Sequence, residues 1–131
     1  MNHIEATITK IEQYDSVSAV FFSALGLELT MVSLELNPAL KVGVDVKLSA
    51  KATNISLSKK IHDDISISNQ LEGVVQNIDN GAILSSVTIG VKDSSFQSII
   101  NRKSVIKLDI KNGDKIVALI KASDLAIVEI L

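Results

Sequence analysis

The feature that most constrains this chain is an internal repeat. Ile4-Glu5-Ala6-Thr7-Ile8-Thr9-Lys10-Ile11-Glu12 returns as Leu71-Glu72-Gly73-Val74-Val75-Gln76-Asn77-Ile78-Asp79, at an offset of 67 residues. Further on, Gly43 matches Gly113, and Lys51-Ala52-Thr53-Asn54-Ile55 matches Lys121-Ala122-Ser123-Asp124-Leu125, now at an offset of 70. Landmarks in one order at near-constant spacing indicate two tandem copies, with about three extra residues in the middle of the second. The division is residues 1–60 and 66–131, with a linker at 61–65 inside the polar junction that begins at Lys59-Lys60. Units of roughly 65 residues bury little surface alone, and this chain has no cysteine to staple them, so oligomerisation is the expected remedy.

Each copy reads as short strands. Ile and Val together supply 31 of the 131 residues, which favours β-structure. Apolar runs from Val17 to Ala24 and from Ile83 to Val91 follow turn signals at Asp15-Ser16 and Asn80-Gly81. Lys41-Val42-Gly43 and Lys111-Asn112-Gly113 mark turns into the last long strand of each copy. Between them, Ser33-Leu34-Glu35-Leu36 and Ser104-Val105-Ile106-Lys107-Leu108 read as single helical turns, each capped by its serine. The expected fold is all-β: two tandem small OB-like five-stranded β-barrels, each with a short helical turn.

In the last long strand, Ile116, Ala118 and Ile120 share one face, and Val117 and Leu119 lie on the other between Lys115 and Lys121. That second face calls for an apolar cover, either a partner subunit or the other repeat.

Composition narrows the function. No Cys is present and only His3 and His62 could act as imidazoles, so a thiolate or histidine metal centre is not expected. Catalytic patterns such as GxSxG, GxGxxG or a Walker loop are absent, and an enzyme is the least favoured class. A net charge of −2 and only four aromatics, Tyr14, Phe21, Phe22 and Phe96, argue against a nucleic-acid binder that stacks bases. Polar residues interrupt every candidate membrane span, and the opening MNHIEATITK lacks a signal-peptide core. The expectation is a soluble cytoplasmic protein with no nucleic-acid or membrane partner.

The remaining candidates are small hydrogen-bond donors: Ser66, Ser68, Asn69, Asn101, Ser104, Lys121 and Ser123. The stretch Ser66-Ile67-Ser68-Asn69-Gln70-Leu71, with Leu119-Ile120-Lys121-Ala122-Ser123, resembles the molbindin (Mop) or TOBE-domain family, whose opening motif reads S-A-R-N-Q-L and whose last strand reads I-K-A-S. Ile100-Asn101-Arg102-Lys103-Ser104-Val105 is similar to the family's I-T-x-x-S-V loop. The resemblance covers both copies, as in a tandem (di-Mop) molbindin. It implies an OB-like barrel assembling as a homo-oligomer, with a trimer favoured, and molybdate or tungstate as the bound oxyanion at subunit and repeat interfaces. A tetrahedral dianion needs many converging donors, which hydroxyls, backbone N–H groups and a lysine supply.

Carried over by position, the second-copy site would use Ser66, Ser68 and Asn69, with Asn101, Ser104, Lys121, Ser123 and the backbone of Ala122 from a neighbouring subunit or repeat. The first copy would offer Ser33, Lys51, Ala52 and Thr53. Structural readings stand beside these. Ser33 and Ser104 can serve as helix caps, Lys51 and Lys121 as edge charges, and Asn69 as the anchor of its own turn. The family's motif arginine is Ser68 here, its loop threonine is Asn101, and of the first copy's opening motif only Asn2 has a counterpart. The implied role is molybdate or tungstate storage and homeostasis. The alternative is a regulatory or assembly module acting through a protein partner in molybdate transport or sensing.

Overall fold

The computed structural model describes residues 2–131. In chain order it contains β1 (Asn2–Tyr14), β2 (Val17–Ala24), β3 (Leu27–Leu34), β4 (Asp45–Ala50), β5 (Ser56–Ser58), β6 (Asn69–Asn80), β7 (Leu84–Val91), β8 (Ser94–Asn101), α1 (Arg102–Leu108), β9 (Lys115–Ile120) and β10 (Ala126–Ile130). Short 3₁₀ turns at Ala52–Asn54 and Ala122–Asp124 precede β5 and β10. No helix among the described residues is long and apolar enough to cross a membrane.

Alternation drives the long strands. In β1, Ile4, Ala6 and Ile8 are buried while His3 and Glu5 are exposed, the period-2 pattern of a strand with one covered face. The β2–β3 turn places Leu25 and Gly26 at φ of 54° and 72°. Two successive left-handed residues suit the twist of a tight hairpin, and glycine adopts that region without a Cβ penalty. Both long strands bend at the same place. The register of β1 slips between Ile8 and Lys10, and that of β6 between Val75 and Asn77. At each bulge the chain also binds the turn before the next long strand: Gly43 donates to Ile8 O and Gly113 to Val75 O, both at 2.8 Å. A bulge lets one strand serve two sheet directions, which is how a small barrel curls.

The sheets cross the repeat boundary. One has the order β10-β4-β1-β2-β3 and the other β5-β9-β6-β7-β8. Thus β5, from the first copy, pairs with β9 of the second, and β10, from the second, pairs with β4 of the first. The division at residues 60 and 66 follows the repeated sequence, whereas hydrogen bonding exchanges the last strand of each copy. The buried apolar side chains of both halves form one cluster. Within it the two copies conserve volume rather than identity: Phe22 faces Leu29 across β2 and β3, and Ile89 faces Phe96 across β7 and β8. Each half therefore holds one phenylalanine opposite one aliphatic residue, a swap that close-packed cores tolerate.

Two local expectations are corrected. The first copy has no helical turn at Ser33–Leu36. The chain stays in β3 through Leu34, paired with Val17, and Glu35 then turns at φ 54°. With about three residues fewer than the second copy and Pro38 close behind, this connection has no room to close a helix. The helical turn of that half lies instead at Ala52–Asn54. In the second copy the helix forms, but its N-cap is Asn101, whose side chain accepts from the Ser104 N–H at 2.8 Å, so Ser104 is not the cap.

The outer face of β9 is covered from within the chain. Val117 and Leu119 are both buried. Gln70, paired with Leu119, binds the linker backbone on that face: its side-chain amide donates to His62 O at 2.6 Å and Ile67 O at 3.0 Å and accepts from His62 N at 2.9 Å. The His62–Ile67 segment is thereby tied to the face of β9 that the sequence leaves apolar.

Candidate functional site

Strand exchange brings donors from the two copies to common ends of the molecule. Asn69 opens β6 and is 1% exposed. Its Nδ2 donates to Thr30 O at 2.8 Å and its Oδ1 accepts from Thr30 N at 2.7 Å. Asn2, its counterpart in the first copy, repeats the arrangement on Gln97, donating to Gln97 O and accepting from Gln97 N at 2.8 Å each. Each asparagine thus completes the backbone hydrogen bonding of a strand in the other half, β3 or β8. Ser98 adds a third crossing bond, donating to Ile55 O at 2.6 Å from a fully buried position.

These braces seat the two lysine turns. Asn2 pairs in register with Ala50 and Asn69 with Ile120, the residues immediately before Lys51 and Lys121. Lys51 and Lys121 hold nearly the same backbone conformation, at φ/ψ of −70°/138° and −63°/145°. Their carbonyls accept from Asn54 N and Asp124 N at 2.9 Å, closing the 3₁₀ turns. The N–H groups of Ala52 and Thr53, and of Ala122 and Ser123, head these turns, where no residue of the turn can accept them. Both lysines are exposed and neither lies within ion-pair distance of a carboxylate among the described residues. An ammonium, two amides and a hydroxyl therefore gather on each turn; the Lys121 turn also holds the Asp124 carboxylate, where the Lys51 turn has Asn54.

The turns pack across the repeat boundary: Ala52–Asn54 against β8 and Ala122–Asp124 against β3. Ser123 and Ser33 line one cavity of about 610 Å³ between the end of β3 and β10. Ser66 and Ser68 are exposed in the segment leading into Asn69, at the Lys121 end of the β6–β9 ladder. One grouping therefore contains Lys121, Ala122, Ser123 and Ser33, with Ser66, Ser68 and Asn69 approaching from β6. Lys51, Ala52 and Thr53 belong to the other end, against β8. Asn101 and Ser104 lie where β8 passes into α1 and bond to each other, on the strand that carries the Lys51 turn. Asn69 presents no free polar atom in this chain, because both ends of its amide hold Thr30.

Thr30, Gln97 and Ser98 are the positioning residues that the motifs do not mark. Asn2 carried a usable signal, since the offset of 67 that defines the repeat sets it opposite Asn69.

Comparison with known proteins fits this architecture. Residues 65–127 match the TOBE domain family model. A solved structure of the cytoplasmic molybdate-binding protein ModG, in its PEG-grown form with molybdate bound, superposes with a TM-score of 0.90 at 24% identity, covering 96% of this chain and 94% of that one. This likeness concerns the fold. A molybdate-binding protein from Sporomusa ovata is 32% identical, with a TM-score of 0.50, over 50% of this chain and 98% of that one. Among curated proteins, the molybdenum import ATP-binding protein ModC of Brucella abortus and of Brucella suis are each 33% identical over 98 residues, which is 73% of this chain. The chain spans about a quarter of the length of these curated relatives (27%). With a TOBE match over its second half and a close sequence relative covered almost end to end, the chain belongs to the TOBE-domain family.

Proposed function

We propose that this protein binds molybdate or tungstate, as a cytoplasmic protein of oxyanion storage and homeostasis rather than as an enzyme. The observation that carries the reading is the pair of lysine turns. Each presents a lysine, two backbone amides and a hydroxyl, and each sits against a strand of the opposite repeat. A tetrahedral dianion offers only acceptor oxygens, so the lysine, amide and hydroxyl donors of each turn match it, while Asp124 is the one carboxylate within the turns; a local site needs no basic surface overall. The 32% identity to the molybdate-binding protein of Sporomusa ovata supports the same ligand class.

Lys121, Ala122, Ser123, Ser66, Ser68 and Ser33 are the proposed donors at one end, and Lys51, Ala52 and Thr53 at the other. Asn69 acts as a brace that sets the Lys121 turn. Asn101 and Ser104 join the site only where a neighbouring subunit brings the α1 end to it, which fits assembly as a homo-oligomer with a trimer favoured. A crystal grown with tungstate tests the site directly: strong density is expected beside Lys121–Ser123 and Lys51–Thr53, and density confined elsewhere contradicts the assignment.

A second reading rests on the curated relatives. The matched region is a minor part of molybdenum import ATP-binding proteins, so the same unit can work as a regulatory or assembly module on a partner protein. Co-purification with and without molybdate separates the two, since a stable stoichiometric partner favours the module.

A further inference from the structure

The repeat carries the same groove twice, with opposite charge. In the second half a groove of about 480 Å³ is lined by Lys59, Lys60, Lys92 and Lys115, with Glu72 as the one acidic residue. Ile61, Val74 and Val117 add apolar lining. In the first half the equivalent positions enclose about 420 Å³. There Asp45 stands where the second half has Lys115, Leu25 where it has Lys92, and Leu131 where it has Ile61, while Glu5 matches Glu72. Duplication has kept the cavity and reversed its charge.

The lysines of the second groove are largely uncompensated. Lys59 contacts Asp114 at 3.2 Å, but Lys60, Lys92 and Lys115 have no carboxylate within ion-pair distance among the described residues. The Lys92 ammonium rests by Gly26 of the β2–β3 turn, at the rim between halves. In a protein of net charge −2, this concentration of cations in one concavity is local and specific. The groove is separate from the lysine turns: Lys115 and Lys121 stand at opposite ends of β9. Its size falls within the roughly 300–1,000 Å³ range of small-molecule pockets and far exceeds a single tetrahedral anion.

We infer that this groove is a second anion site that takes an oligophosphate: a chain of linked phosphates long enough to meet several ammoniums at once. Lysine serves phosphate as a mobile point charge, and the lysines come from three separate segments, Lys115 on β9, Lys59 and Lys60 after β5 and Lys92 in the β7–β8 turn, around a groove larger than a compact anion, which suits an extended one. The mirrored groove carries Glu5 and Asp45, so it does not repeat this site.

Titration calorimetry of the full chain with inorganic tripolyphosphate at low ionic strength tests the inference. The expected result is saturable binding of one tripolyphosphate per chain, undiminished by excess molybdate. The double variant Lys60→Gln/Lys115→Gln, both exposed positions, is expected to lower the affinity by about tenfold or more while leaving the urea midpoint and any molybdate binding unchanged. Absence of saturable heat, equal affinity in the variant, two ligands per chain, or displacement by molybdate would each overturn it. Salt-sensitive self-association that the variant abolishes, without tripolyphosphate binding, would overturn it in favour of contact between the basic and acidic faces of two copies. Tripolyphosphate binding is read independently of molybdate binding, so failure of one leaves the other standing.

Discussion

The Asn69 side chain reaches from the start of β6 to the backbone of Thr30 in β3 and closes two hydrogen bonds there, at 2.7 and 2.8 Å. Asn2 does the same to Gln97 in β8, so each repeat opens by binding the other. Substituting Asn69 by Ala removes both bonds and leaves the Thr30 N–H and carbonyl without that partner in a part-buried site, at an expected cost of about 2 kcal/mol. Asn69→Asp should cost more, because a carboxylate cannot donate to Thr30 O. Urea unfolding of the variants checks both, and a change within about 0.5 kcal/mol for Asn69→Ala would remove the brace from the account.

The lysine turns separate binding from folding. Lys121 is exposed and has no carboxylate within ion-pair distance among the described residues, so Lys121→Ala should leave the unfolding midpoint unchanged. Loss of one charge-assisted contact should weaken oxyanion affinity by roughly tenfold. Lys51→Ala should act the same way at the other end. Unchanged affinity in both variants would exclude the turns as the site.

Asp114 ties the linker to the loop before β9. Its carboxyl is held below the ordinary carboxylate value of 3.8, first by the Lys111 N–H bond at 2.9 Å and then by the Lys59 ammonium at 3.2 Å. A depressed folded pKa adds stability that is fully present above the ordinary value and is lost as the pH falls through the lowered one. Asp114→Asn should therefore be less stable than the parent at pH 7, with the gap closing in acid below pH 3.8. Urea midpoints across that range check the sign. A gap that widens in acid would contradict it.

Exchange of the last strands makes a distinctive prediction for truncation. Removing residues 126–131 deletes β10, whose partner is β4 in the first half. Hydrogen exchange should accelerate most at the β4 amides that face β10, although the deleted residues belong to the second copy. Faster exchange confined to β9 and β6 would mean that each repeat closes its own sheet.

Much of this fold is legible in the sequence, but not its connectivity. The offsets of 67 and 70 reveal two copies and locate the extra residues that become α1. They do not reveal which copy the last strand pairs with, because both sheets present equivalent edges to equivalent strands. The site inherits the same ambiguity. Lys121, Ser123 and Ser33 are recognisable as donors, yet their grouping depends on the exchange that sets the Lys121 turn against β3. Asn69 reads as a ligand in the motif because its amide is polar and adjacent to serines, and only the structure shows Thr30 holding both of its ends. The sequence places the helix cap at Ser104, three positions beyond the observed Asn101, because Asn and Ser are about equally good caps.

Isothermal titration of the full chain with molybdate, tungstate and sulfate, in buffer free of competing anions, decides whether the lysine turns hold a tetrahedral metal oxyanion. Saturable heat is expected with both molybdate and tungstate, weaker heat with sulfate, and reduced affinity in Lys121→Ala. Absence of saturable heat with either metal oxyanion would contradict that assignment.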